Sequence, residues 1–233
     1  MKYKFLIILG MSVVLLVGCM TDVKDVDVET GNHVGNTSQG KDNLESNRNF
    51  SLPPGEYGLL VVNDELSVIS NDNVLYAKVN DDYTQLTDFI RSYAVSNDQR
   101  IIMYTTGEDD APGALYRYDV KSQENEMVLG NDEGKQTPKD ILWLDDKLLL
   151  IIRGLGHGRV HEGGQVDVYH RDTGKLTPLL IPDEKSEYRR IDAFKKDSVI
   201  VERATWTDDT FNAYETDTVI YKREDLLAMV NGQ

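Results

Sequence analysis

The chain has 233 residues, with 25 Lys and Arg against 40 Asp and Glu and a formal net charge of −15. That balance argues against nucleic acid as a partner, because such binding rests on basic side chains neutralising phosphates, and equally against electrostatic adhesion to anionic lipid. A single cysteine excludes an internal disulfide, and the acidic surface is read as a means of keeping an exported domain in solution.

Lys2 and Lys4 form a short basic start, and Phe5 to Val17 form an apolar run diluted only by Gly10 and Ser12. A membrane-crossing helix needs about 20 apolar residues. The shorter run therefore predicts a secretion signal over residues 1–18. Leu16-Val17-Gly18-Cys19 follows at once. It resembles the lipobox of bacterial lipoproteins, in which the cysteine thiol takes a diacylglyceryl group through a thioether and becomes the new N-terminus. The resemblance implies a membrane anchor on Cys19 and an extracytoplasmic location. Acylation would also remove the one free thiol of an exported chain.

Residues 19–54 are rich in Asp, Asn, Gly, Ser and Thr, with no aromatic before Phe50. Such a segment buries too little apolar surface to offset its ordering entropy, so it is read as a disordered tether reaching about 30–35 Å. Residues 55–233 are long enough for one domain with a substantial core, and no Ser- or Gly-rich linker divides them.

Within that domain, runs rich in β-branched and aromatic residues alternate with Asn, Asp and Gly turns. The clearest repeat pairs Ala94 to Ser96 with Ile101 to Tyr104 across an Asn97-Asp98 turn, then continues with Ala114 to Val120 and Glu126 to Leu129. A second copy has Asp140 to Leu144, Lys147 to Ile152, Gln165 to His170 and Lys175 to Leu180. A third has Arg190 to Phe194, Ser198 to Arg203 and Thr216 to Lys222, and ends in Glu224 to Val230, which fits a strand or a short helix. A weaker copy upstream comprises Gly58 to Val62, Glu65 to Ile69 and Val74 to Val79. Equivalent turns recur at roughly 35–50 residues, the range of four-stranded propeller blades. The fold expected is all-β, with about four antiparallel blades, the first one thin. The alternative is a plain antiparallel β-sandwich. Four blades are few for a closed ring, so closure is expected from the last strands pairing with the first, or from a bent arrangement like a sandwich.

The blade pattern resembles TolB-like and WD-type β-propellers. Trp143-Leu-Asp-Asp-Lys147, the Gly-rich loop after it and the turn from Tyr169 to Gly174 make residues 55–233 similar to an uncharacterised domain family in lipoproteins of Gram-positive, spore-forming bacteria. The resemblance implies fold and location and carries no activity.

The most unusual stretch is the loop from Arg153 to Gly164, which holds five glycines, Arg153, His157, Arg159, His161 and Glu162. Its glycines permit positive φ and close approach to a ligand. Two imidazoles and a carboxylate suit Zn²⁺ in principle, but the glycines would break the helix on which a His-Glu-x-x-His site depends. Two arginines offer forked donors for a carboxylate or phosphate. Plain packing of the loop across one face is the reading against which both are weighed. Those five side chains are the candidate ligand-binding residues, and no metal is assigned. Acidic loops at Glu108 to Asp110 and at Asp208 and Asp209, with Glu215 and Asp217, would suit Ca²⁺ but match no EF-hand spacing. All these loops precede the third strand of their repeat, which gathers them on one face.

No Gly-x-Ser-x-Gly elbow, phosphate loop or dinucleotide fingerprint is present, so no catalytic residue and no cofactor are assigned. The favoured function is a non-catalytic binding or interaction domain on a lipid anchor. A buried, coupled His–carboxylate pair in a deep pocket would count against it. An envelope-acting hydrolase using His157, His161 and Glu162, and an envelope assembly factor with protein partners, are the other two.

Overall fold

A computed structural model of the chain describes residue 52 and residues 57–71, 73–107, 111–130, 136–156, 161–194 and 197–232. The expected signal, Cys19, nearly all of the tether, the Glu108–Asp110 loop, His157 and Arg159 lie outside the described residues.

Among the described residues, fifteen strands form four successive antiparallel sheets, each in simple chain order, and one helix follows them. The first sheet holds β1 (Gly58–Val61), β2 (Leu66–Ser70), β3 (Leu75–Val79) and β4 (Asp82–Thr87). The second holds β5 (Ile90–Val95), β6 (Ile101–Thr106), β7 (Leu115–Asp119) and β8 (Glu124–Leu129). The third holds β9 (Gln136–Trp143), β10 (Leu148–Leu155), β11 (Gln165–His170) and β12 (Leu176–Leu180). The fourth has three strands, β13 (Ser186–Phe194), β14 (Ser198–Trp206) and β15 (Tyr214–Lys222), and runs into α1 (Arg223–Asn231). This is a propeller-like arrangement of four blades. No helix among the described residues is long and apolar enough to cross a membrane.

Short polar side chains shape the hairpins. The Oδ1 atoms of Asn63, Asp119 and Asp145 each accept two backbone N–H groups two and three residues on, closing the turns β1–β2, β7–β8 and β9–β10. The second strand of the second and third blades is apolar without alternation because both of its faces are buried. Along β6, Ile102 and Tyr104 pack on Leu66, Val68 and Leu75 of the first blade, while Ile101 and Met103 pack on Ile141, Trp143 and Ile151 of the third. Along β10, Leu149 and Ile151 join that second layer, and Leu148, Leu150 and Ile152 pack with Val199, Val201 and Leu226 of the fourth blade and α1. Three apolar layers thus lie between four sheets.

A recurring tie joins each blade to the next. Ile90 N donates to Asn73 O (2.8 Å), Gly113 N donates to Thr137 Oγ1 (2.8 Å), and Gly164 and Tyr188 exchange both backbone bonds (2.9 and 2.8 Å). In every case a residue just before a third strand meets the start of the next blade's first strand. Strands β5 and β9 are consequently in contact, as are β9 and β13.

Three features differ from the sequence expectation. The first strands of blades two to four begin at Ile90, Gln136 and Ser186, four residues earlier than predicted. The thin first blade gains a fourth strand, β4, whose polar sequence gave no apolar signal. Pairing between last and first strands is not seen among the described residues: β15 pairs only with β14, and β1 pairs only with β2 and is exposed along its length. The C-terminal segment is a helix, with Leu226 buried and Arg223 donating to the Trp143 carbonyl (3.0 Å).

Candidate functional site

The innermost strands of blades two, three and four share one irregularity. The ladder of β5 on β6 slips between Ile90 and Ser92 and leaves Arg91 as the extra residue. That of β9 on β10 slips at Lys139, and that of β13 on β14 slips at Arg189. A bulge bends its strand and re-aims the extra side chain. Here three equivalent bulges bring Arg91, Lys139 and Arg189 to the wall of one cavity of about 1030 Å³. Lys139 is 4% exposed.

Asp140 holds the three strands together beside that cavity. Its carboxylate accepts Ser92 Oγ (2.6 Å) from β5, the Ile191 amide (2.8 Å) from β13 and its neighbour's amide, that of Ile141 (2.9 Å). Burial pushes its pKa upward, and those three donors only partly counter it. Of the other acids that line the cavity, Asp192 pairs with Arg190 (2.8 Å) and Glu162 with Arg189 (3.5 Å), and Glu202 comes from β14.

The rim above β13 is aromatic. Arg189 donates Nε to Glu187 (2.7 Å) and lies 3.9 Å from the Tyr214 ring centre and 5.5 Å from that of Trp206. Burial works against this guanidinium, but Glu187, Tyr214 and Glu162 hold it protonated above its ordinary range. Glu187 is itself buried, 3% exposed, and its second oxygen faces His161 Nδ1 at 3.3 Å. The His161 ring stands edge-on to Trp206 (5.6 Å) and Phe211 (5.4 Å). Phe211 has φ +57 at the tip of a loop that Asp208 organises by accepting the Asn212 and Ala213 amides.

The candidates named from sequence separate into two groups. His161 and Glu162 reach across to the fourth blade, His161 onto Glu187 and Glu162 into the central cavity. Arg153 instead pairs with Asp167, which is wholly buried and also accepts Gln165 Nε2 (2.6 Å). Arg153 and His161 border a separate, smaller cavity of about 270 Å³. Three of the loop's glycines bring backbone to backbone. A Cβ at Gly154 would lie 1.6 Å from Gly163 O, one at Gly163 2.1 Å from Tyr188 O, and one at Gly164 1.8 Å from Arg153 O. Of the acidic loop residues, Asp209 pairs with Lys185 (2.8 Å) and Asp217 with Arg203 (2.6 Å). Among the described residues, no three His, Cys, Asp or Glu side chains are grouped to hold a metal ion. Loops before the third strands of blades three and four do meet, at His161 and Phe211.

Sequence reasoning passed over Arg91, Lys139, Glu187, Arg189, Trp206 and Tyr214. A signal was available: a basic residue recurs about every 50 residues in the first strands of blades two, three and four.

A family described as Domain of unknown function (DUF4652) matches residues 104–222, slightly more than half of the chain. The chain belongs to that family. Among solved structures, a protein of Clostridium novyi NT assigned as a conserved lipoprotein is 26% identical, with a TM-score of 0.52, covering 57% of this chain and 87% of that one. A TolB assignment from Agrobacterium tumefaciens is 14% identical (TM-score 0.45, 68% and 57% of the two chains). An oligogalacturonate lyase from Vibrio parahaemolyticus is 15% identical (TM-score 0.41, 67% and 48%). A search of curated proteins returns no match. The DUF4652 segment runs from the second strand of blade two to the last strand of blade four, so it includes the Lys139 and Arg189 bulges but not Arg91.

Proposed function

We propose that this protein is a lipid-anchored binding module on the extracytoplasmic face of a membrane, held through Cys19, and that it takes its ligand in the cavity between β5, β9 and β13. The observation that carries this reading is the convergence of three inner-strand bulges on one cavity. Bulges are concentrated beside functional sites, and a cavity of about 1030 Å³ is at the upper end of the range for small-molecule sites. The similarity to the Clostridium novyi lipoprotein supports the anchor.

The test is thermal unfolding of the full chain in detergent against a panel of sugars, cell-wall fragments, dicarboxylates and divalent cations. A ligand at a hundredfold excess over its Kd adds about 2.7 kcal/mol to stability. A midpoint shift that is lost on replacing Arg189 or Lys139 supports the reading. No shift across the panel rejects it and moves the search to protein partners.

One observation favours a second reading, an envelope-acting hydrolase. His161 faces a buried carboxylate, Glu187, which is the arrangement that orients a general base. The imidazole is partly exposed beside the smaller cavity, and Glu187 is shared with Arg189. Turnover of an envelope substrate that His161→Ala abolishes without changing the thermal midpoint would establish it.

A further inference from the structure

The free edge of blade four is built unlike those of the other blades. Among the described residues, blades one to three end on a fourth strand, β4, β8 or β12, whereas blade four ends on its third, β15. Each of those outer strands carries devices that discourage further pairing. Their ladders slip and leave Leu86, Val128 and Leu179 as extra residues, and a bulge twists an edge away from a flat template. They are short, with 6, 6 and 5 residues, and β12 adds Pro178. By contrast β15 has 9 residues, no proline, and a regular register with β14 from end to end. Its Thr, Val, Ile and Tyr content suits a strand with neighbours on both sides. The helix that follows turns back toward blade three, where Arg223 donates to the Trp143 carbonyl.

We propose that this edge pairs with β15 of a second copy of the chain, antiparallel, so that two fourth blades join in one continuous sheet. A twofold axis normal to the sheet keeps the same face of both copies upward, so residues of equal parity stand opposite each other. The register that uses the whole strand puts the axis at Thr218. Thr218 then faces its own copy, Thr216 faces Ile220, Asp217 faces Val219, Glu215 faces Tyr221 and Tyr214 faces Lys222. No like charges are opposed, and Thr–Thr and β-branched pairs favour a ladder. Lys222 meets a ring, and the Asp217 charge is already met by Arg203, which donates Nε and Nη2 to it (3.0 and 2.6 Å). Ile220, 56% exposed in one copy, gains a neighbour. The net charge of −15 on each copy is screened beyond about 8 Å in physiological salt, so the edge itself decides. The valine run of the tether, Val23 to Val28, fits the same edge less well, because it would bring Asp25 and Asp27 to Glu215 and Asp217.

The experiment is disulfide trapping of the full chain in isolated membranes, with the wild type, whose one cysteine is Cys19, as the blank. Thr218→Cys should give at least tenfold more linked dimer than either of two controls. Tyr214→Cys lies on the same strand, but its two copies stand about 26 Å apart in this register. Ser122→Cys sits on the exposed turn between β7 and β8. With Thr218→Cys retained, Thr216→Lys combined with Ile220→Lys sets lysine opposite lysine twice and should abolish the link. Co-expression with a copy carrying Thr216→Glu and Ile220→Glu should restore it, which also shows that the lysine variant is folded. Absence of a link at Thr218 overturns the second copy as occupant and leaves the edge to the tether or to another protein. Equal linking at all three positions reports chance collision and overturns it too. So does a link that survives the lysine pair, or one that the glutamate copy does not restore. None of these outcomes bears on the ligand cavity.

Discussion

Glu187 shows how much one side chain carries at this site. Its two oxygens face the Arg189 Nε and the His161 Nδ1, and the group is almost fully buried. Removing one member of a buried ion pair leaves the other charge desolvated and uncompensated, a loss of about 3–5 kcal/mol. Glu187→Ala should therefore lower stability by about 3 kcal/mol in urea unfolding, and a change below about 1 kcal/mol would show that His161 and Arg189 rearrange freely without it. Asp140 makes the opposite case, since burial raises its pKa in the folded state. The folded chain then binds this proton more tightly than the unfolded chain does, so the group's contribution is fully present below the unfolded value of about 3.9 and is lost as pH rises through the higher folded value. Urea midpoints measured from pH 3.5 to 6.5 should show the wild type losing stability relative to Asp140→Asn as pH increases. A difference that is flat, or that runs the other way, would show that the three donors outweigh burial.

The strands were legible in proportion to their apolar content. Ile101 to Tyr104 and Leu148 to Ile152 lie between two apolar layers, so composition alone revealed them. The heads of β5, β9 and β13 face a polar cavity, and Arg91, Lys139 and Arg189 there interrupt the pattern by which strands are recognised. The predicted starts at Ala94, Asp140 and Arg190 therefore cut off the segment that builds the site. The loop from Arg153 to Gly164 drew notice for its glycines, and their packing gives a physical reason for three of them. Gly164→Ala would set a methyl group 1.8 Å from the Arg153 carbonyl and push apart the bridge to Tyr188. Overpacking of this kind costs about 1–3 kcal/mol or more. Gly130→Ala is the control, because its nearest contact is the flexible Met127 side chain at 3.6 Å. Its effect should stay within about 0.5 kcal/mol. Equal losses in the two variants would remove the close-packing explanation. Leu226→Ala bears on α1 in the same way: truncating a buried leucine costs about 2–5 kcal/mol, measured by urea unfolding.

At the scale of the whole molecule, turn spacing was enough to read a succession of blades, because each blade needs its turns at fixed intervals whatever its lining. Side-chain chemistry at the hub was not readable, since it depends on which strands lie innermost. How the molecule stays at a membrane is likewise separate from the fold. No helix among the described residues can span a bilayer, and a net charge of −15 opposes anionic lipid. The proposed attachment is through acyl chains at Cys19, where each buried methylene contributes about 0.8 kcal/mol and two chains suffice for lasting association. Hydrophobic attachment is insensitive to ionic strength, whereas surface electrostatic attachment is screened. The wild type should accordingly remain with the membrane fraction in about 1 M salt, where the screening length is about 3 Å, and should incorporate an alkyne-tagged fatty acid. Cys19→Ser should incorporate none. Extraction of the wild type by salt, or persistence of the label in the variant, would place the attachment somewhere other than this cysteine.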